Sequence, residues 1–109
     1  MEAPLSVDLR PDYLLEVLRI VGQHFPAAEV WAFGSRVTGS AWEGSDLDLV
    51  LHQADPMSQE QATAFSRLKQ AFTDSNLPFL VDVHDWARLP ASFQGRIEKQ
   101  YVVLQKASH

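Results

Sequence analysis

Two aspartates, Asp46 and Asp48, stand two residues apart at the start of an apolar run that continues through Leu47, Leu49, Val50 and Leu51. In a strand, side chains two apart project from the same face, so the two carboxylates share one side and the leucines take the other. Carboxylates so placed repel unless something positive lies between them, and a hard divalent cation is the usual partner. Upstream, the apolar run Ala28 to Phe33 breaks at Gly34-Ser35. If Ser35 to Thr38 form one helical turn, Gly34 and Ser35 lie where free backbone N–H groups favour an anion. Glycine lets the backbone approach a triphosphate, and the Ser35 hydroxyl adds a donor. A third aspartate, Asp82, interrupts the apolar run Phe79 to His84, where an unpartnered buried carboxylate would be costly. If that strand pairs with the Asp48 strand, Asp82 joins the other two on one face. Three carboxylates suit Mg²⁺, which completes its shell with water and substrate phosphate. Two such ions would activate an attacking hydroxyl and stabilise a leaving pyrophosphate, as phosphoryl-transfer chemistry requires.

Other residues have two readings each. Arg36 either touches phosphate or is a solvated helix residue. Ser45 either shapes the turn into the carboxylate strand or contacts substrate. His84 shares the Asp82 face and either approaches nucleotide or metal, or is a satisfied surface histidine. Asp85 competes with Asp82, but alternation puts it on the opposite face. Trp42 and Trp86 either stack a base, meet a partner or simply pack. His24, His52 and His109 show no ligand spacing among themselves. Two other motifs fail. Gly34-x4-Gly39 starts like a P-loop, but Ser40-Ala41 replaces the lysine and hydroxyl residue. Asp46-x-Asp48 starts like an EF-hand, but its sixth position is Leu51 rather than glycine.

The elements that must hold these residues are legible from periodicity. After a lead-in of residues 1–10, Pro11 and Asp12 open a helix over about 11–24, with Leu14, Leu18, Val21 and Phe25 as its apolar stripe. Ala28 to Phe33 reads as a strand buried on both faces, residues 39–45 as a loop, and Leu47 to His52 as the second strand. Ser58 with Gln61 has capping-box form and starts a helix over about 58–75, with Ala62, Phe65, Leu68 and Phe72 facing inward. Phe79 to His84 is the third strand. Pro90 opens a helix to about 99, with Phe93 and Ile97 as its apolar contacts, and Tyr101 to Leu104 is either strand or helix. This order predicts an α/β (α+β) fold, a small mixed β-sheet with helices packed against it.

Bulk properties narrow the function. The chain has 109 residues, which suits a single domain over 1–109, and 46% hydrophobic content is that of an ordinary globular protein. A net charge of −5 argues against a broad nucleic-acid footprint. With no cysteine there is no disulfide, thiolate metal site or thiol nucleophile. The start of the chain has no signal-peptide pattern, and no apolar run reaches the roughly 18 residues of a membrane span, so a cytoplasmic location is expected.

Gly34-Ser35, ten residues, then Asp46-x-Asp48 resembles the Gly-Ser-x10-Asp-x-Asp signature of the minimal nucleotidyltransferases, within the DNA polymerase β-like nucleotidyltransferase superfamily. Asp82 falls where that family carries a third carboxylate on a later strand. The resemblance spans roughly Leu14 to Leu104. It implies a polymerase β palm-like fold and a Mg²⁺-dependent enzyme, with two ions and a nucleoside triphosphate, ATP foremost. Asp46, Asp48 and Asp82 would be the catalytic and metal-binding residues, and Gly34, Ser35, Arg36 and Ser45 the triphosphate contacts. It further implies transfer of AMP to a hydroxyl acceptor, such as a tyrosine of a HEPN-type toxin, with this chain as the antitoxin. An alternative is a non-catalytic antitoxin that masks its partner sterically. A chain of this length has about enough residues for the catalytic half of larger relatives, so another protein or a second copy is expected to complete the pocket.

Overall fold

The computed structural model describes residues 6–108. Helix α1 (Pro11–His24) is followed by strand β1 (Val30–Phe33), the short helix α2 (Ser35–Thr38), strand β2 (Leu47–Leu51), helix α3 (Gln59–Asp74) and strand β3 (Val81–Asp85). A single 3₁₀ turn (Trp86–Arg88), helix α4 (Ala91–Lys99) and strand β4 (Val102–Gln105) complete the order. Tyr101 to Leu104, undecided from sequence, thus falls mainly in a strand. The first five residues of the expected lead-in, and His109, lie outside the described residues.

The sheet runs β3-β2-β1-β4 and is mixed: β1 pairs antiparallel with both β2 and β4, while β2 and β3 are parallel. Register places Phe33 opposite Asp48, and Asp48 opposite Asp82. One face therefore carries Val30, Ala32, Leu47, Leu49, Leu51 and Val83, packed with Val17, Ile20 and Val21 of α1 and Leu68 and Phe72 of α3. Burial of such aliphatic side chains contributes about 1.5–3 kcal/mol each. Trp31, Phe33 and Val50 on the other face pack with Ile97, Phe93, Tyr101 and Trp86 in a second cluster. Helix α4 supplies Phe93 and Ile97 to it, as expected. Asp48, Asp82 and His84 share this second face by alternation.

The helix boundaries follow their local signals. Pro11 stands in the first turn of α1 and Asp12 beside it. Of the expected stripe, Val21 and Phe25 are buried while Leu14 and Leu18 are half-buried; Val17 and Ile20 are the other deep residues of α1, so its buried face is turned slightly from that stripe. The Ser58 Oγ accepts from the Gln61 N–H at 3.1 Å while Gln61 Oε1 accepts from the Ser58 N–H at 3.0 Å, closing the capping box. Ala62 is exposed; Ala64, Phe65, Leu68, Ala71 and Phe72 make the packed face of α3 instead. Among the described residues, no helix is long and apolar enough to cross a membrane.

Candidate active site

Gly34 joins β1 to α2 with φ +82° and ψ −157°, a backbone geometry that side chains rarely tolerate. Its carbonyl accepts the N–H groups of Val37 and Thr38 at 2.9 and 3.0 Å, and Gly39 ends the turn in the left-handed region. The missing side chain has a second use. A Cβ on Gly34 would stand 2.4 Å from Asp48 Oδ2, so the glycine forms the cradle in which the Asp48 carboxyl rests. Ser35 follows as the first residue of α2. Gly34→Ala is expected to cost about 1–3 kcal/mol of stability through backbone strain and to displace the carboxyl. Chemical denaturation checks the first effect and a transfer assay the second; an alanine variant with wild-type values in both would remove Gly34 from the site.

Asp48 is half-buried, and its carboxyl is held above the ordinary carboxylate range, first by burial and then by the Asp82 carboxylate; His84 opposes that rise and Asp46 adds to it. Asp82 is exposed, with its Oδ2 3.2 Å from His84 Nε2. Asp48, Asp82 and His84 each offer one ligand atom within 4.8 Å of the others. A carboxyl pair pushed together in this way suits a cation, which would replace repulsion by shared attraction. The glycine cradle and this donor set fit a divalent metal.

The expected triad is modified in one respect. Asp46 precedes the first residue of β2, is exposed, and stands outside the trio of closely grouped donors, although it is near enough to act on Asp48. His84 takes the third place in that group. Its signal was present in the chain: it stands two residues after Asp82, the same spacing that links Asp46 and Asp48. Asp85 faces the opposite side, as alternation predicted, where its carboxyl accepts the Ala87 N–H at 3.2 Å.

Arg36 and Ser45 are both buried and engaged in hydrogen bonds within the protein. The Arg36 guanidinium is buried and donates to the carbonyls of Ser45 (2.9 Å), Asp8 (2.9 Å) and Glu43 (3.1 Å), with its plane over the Phe79 ring. All three guanidinium nitrogens thus hold the loop and the lead-in, so Arg36 is a buried structural residue rather than a solvated helix residue. Ser45 is buried, and its Oγ accepts the Trp42 N–H at 2.9 Å, which fixes the turn into β2. Trp86 packs edge-on against Trp31 in the second cluster, so packing is its role. Trp42 is 72% exposed, lies over Gly44, and lines a cavity of about 620 Å³ together with Tyr13, Arg36, Pro78 and Phe79. A neighbouring cavity of about 540 Å³ is lined by Asp46, Gly44 and Leu77 to Val81. Asp48, Asp82 and His84 line neither cavity.

Residues 16–109 match the family model described as polymerase beta, nucleotidyltransferase. The chain belongs to the polymerase β nucleotidyltransferase family. This establishes it as a nucleotidyltransferase with the fold expected from the Gly34-Ser35 and Asp46-x-Asp48 pattern. A relative within reach of sequence comparison is the probable protein adenylyltransferase MntA of Haemophilus influenzae, 43% identical over 101 residues, covering 93% of this chain and 86% of that protein. Two crystal structures share the polymerase β-type fold. One is a toxin–antitoxin with AMP-PNP, 23% identical with a TM-score of 0.64, over 92% of this chain and 76% of that one. The other is a mutant of the toxin–antitoxin MntA–HpeT, 19% identical with a TM-score of 0.57, over 92% and 75%.

Proposed function

We propose that this nucleotidyltransferase transfers AMP from ATP to a hydroxyl of a partner protein, a tyrosine side chain, and acts in the cytoplasm as the antitoxin of a toxin–antitoxin pair. The partner in this reading is a helical HEPN-type protein. The observation that carries the chemistry is the Asp48–Asp82 pairing against Gly34. The acceptor class rests on the 43% identity to a probable protein adenylyltransferase.

In this reading Asp48 and Asp82 hold Mg²⁺, with Asp46 beside them for a second ion, while Gly34 and Ser35 meet the triphosphate. Bound Mg²⁺ neutralises triphosphate charge and eases departure of pyrophosphate. The acceptor oxygen bonds to the α-phosphorus as the bridging P–O bond to the β-phosphate breaks, and Asp82, the most exposed of the paired carboxylates, takes the hydroxyl proton. Asp82 is exposed beside the half-buried Asp48 and His84, which leaves its carboxylate accessible to an acceptor. A second copy is the alternative partner; direct nucleic-acid binding has no support in a chain of net charge −5.

A steric reading, in which the chain neutralises its partner by binding alone, is favoured by the exposed Trp42 and Leu80, each 72% accessible. The experiment that separates the two incubates the chain with Mg²⁺, ATP labelled on the α-phosphate, and a lysate of cells carrying the partner. One labelled protein band is expected, and the Asp46→Ala/Asp48→Ala variant should not produce it. Label entering nucleic acid, or full neutralisation of the partner by the double variant, would overturn the proposal.

A further inference from the structure

The third donor beside Asp48 and Asp82 is a histidine nitrogen. The geometry points to His84 as a direct ligand of the catalytic cation, giving a site that takes Mn²⁺ in preference to Mg²⁺. The inference rests on the reading of Asp48 and Asp82 as cation ligands.

Three observations support it. His84 Nε2 lies 3.2 Å from Asp82 Oδ2. In an octahedral shell with bonds of about 2.1 Å, adjacent ligand atoms are about 3 Å apart and opposite ones about 4.2 Å. The trio of donor atoms, mutually within 4.8 Å, therefore contracts only slightly around one ion. The imidazole is also held in place by packing: its ring lies 5.6 Å from that of Phe33 and 6.0 Å from that of Phe93. Phe33 is fixed by β1 and Phe93 by α4, so the nitrogen is presented from a supported ring on a strand. Finally, Asp48 and Asp82 are register partners on adjacent strands, and His84 extends the same face of β3 by one alternation.

A contrasting pair just beyond the ends of β1 and β2 shows that a histidine near a carboxylate does not suffice. His52 lies 3.1 Å from Glu29, but its ring stacks flat on Trp31 at 3.8 Å. The Glu29 carboxylate there also accepts the Trp31 indole N–H at 2.8 Å. That pair is satisfied by packing and hydrogen bonding. Among the described residues, Asp48, Asp82 and His84 are the group of three such donors that meets.

An all-oxygen site suits Mg²⁺, whereas imidazole nitrogen favours first-row transition ions. Two carboxylates with one imidazole form a mixed set. Mn²⁺ matches it, since it accepts nitrogen while keeping the affinity for carboxylate and phosphate oxygen that nucleotide transfer needs.

The test uses the purified full chain with Mn²⁺ alone, followed by electron paramagnetic resonance, with Mg²⁺ as competitor. Wild type should show nitrogen hyperfine coupling from a directly bound imidazole. That coupling should vanish in His84→Gln, which puts an amide oxygen at that place. The Mn²⁺ affinity of His84→Gln should fall about ten-fold or more, with a smaller change for Mg²⁺. Bound Mn²⁺ that needs Asp48 but shows no nitrogen coupling would overturn the ligand role of His84 and leave Asp48 and Asp82 as the cation site. Absence of Mn²⁺ binding, or nitrogen-coupled binding unchanged in Asp48→Asn, would overturn both. The wild-type spectrum with its Asp48→Asn control decides the question even if His84→Gln folds poorly.

Discussion

Asp48→Asn is expected to lower nucleotidyl transfer about a thousand-fold or more while leaving the fold intact. Asp48 is the residue on which the site converges. It is cradled by Gly34, paired across the ladder with Asp82, and grouped with His84. An amide keeps its shape and removes the charge that a cation requires. Thermal melting separates this loss from unfolding, and its direction is informative. The Asp48 carboxyl titrates above the ordinary value of 3.8, chiefly because burial penalises its charge and also because Asp82 faces it. With its folded pKa raised above the unfolded one, the group contributes stability at acid pH that is lost as pH rises through the folded pKa. At neutral pH and without metal the ionised form is therefore a net cost. Asp48→Asn should then melt no lower than wild type, with a gain of at most about 4 °C, because solvent screening at a half-exposed group keeps the effect below about 1 kcal/mol. Divalent metal should stabilise wild type and leave the variant unmoved. A variant that transfers at the wild-type rate, or that melts well below wild type, would contradict this account.

The largest effect on stability is expected at Arg36. Replacing it with lysine should cost about 2–4 kcal/mol in a urea denaturation. The guanidinium reaches three carbonyls in different directions, at Asp8, Glu43 and Ser45, while the Arg36 carbonyl accepts the Asp8 N–H at 2.6 Å. A lysine ammonium cannot reproduce a planar fork, and buried carbonyls left without donors carry a desolvation cost. The loop from Gly39 to Ser45 connects the Gly34-Ser35 turn to the Asp46-x-Asp48 strand, so activity should fall with it. A loss below about 1 kcal/mol would mean that the loop is held by something else.

The contrast between Asp48 and Arg36 shows what the chain reveals locally. The shared face of Asp48 and Asp82 is legible because alternation and an apolar context are properties of a few consecutive residues. Helices α1 and α3 were likewise readable, the first from Pro11 and Asp12 and the second from the Ser58–Gln61 box, since caps act within one turn. The burial of Arg36 was not legible because its partners lie 7, 9 and 28 residues away, and nothing near it signals burial. Strand β4 was ambiguous for the same reason: Val102 to Gln105 become a strand by pairing with β1, a contact about 70 residues distant in the chain. Asp46 met the spacing rule, but the ladder begins one residue later, so strand geometry does not hold it as it holds Asp48. Alternation places His84 on the Asp82 face, but its closeness to Asp48 comes from the parallel register of β2 and β3, which no local pattern signals.

The central claim is that this face joins AMP to a protein hydroxyl and releases pyrophosphate. Intact-mass analysis of the modified partner, with pyrophosphate measured in the same reaction, tests it most directly. The account predicts one AMP residue gained per pyrophosphate released with wild type, and neither with Asp48→Asn. A partner that gains a phosphate instead, or a wild-type reaction in which the acceptor mass never changes, would contradict it.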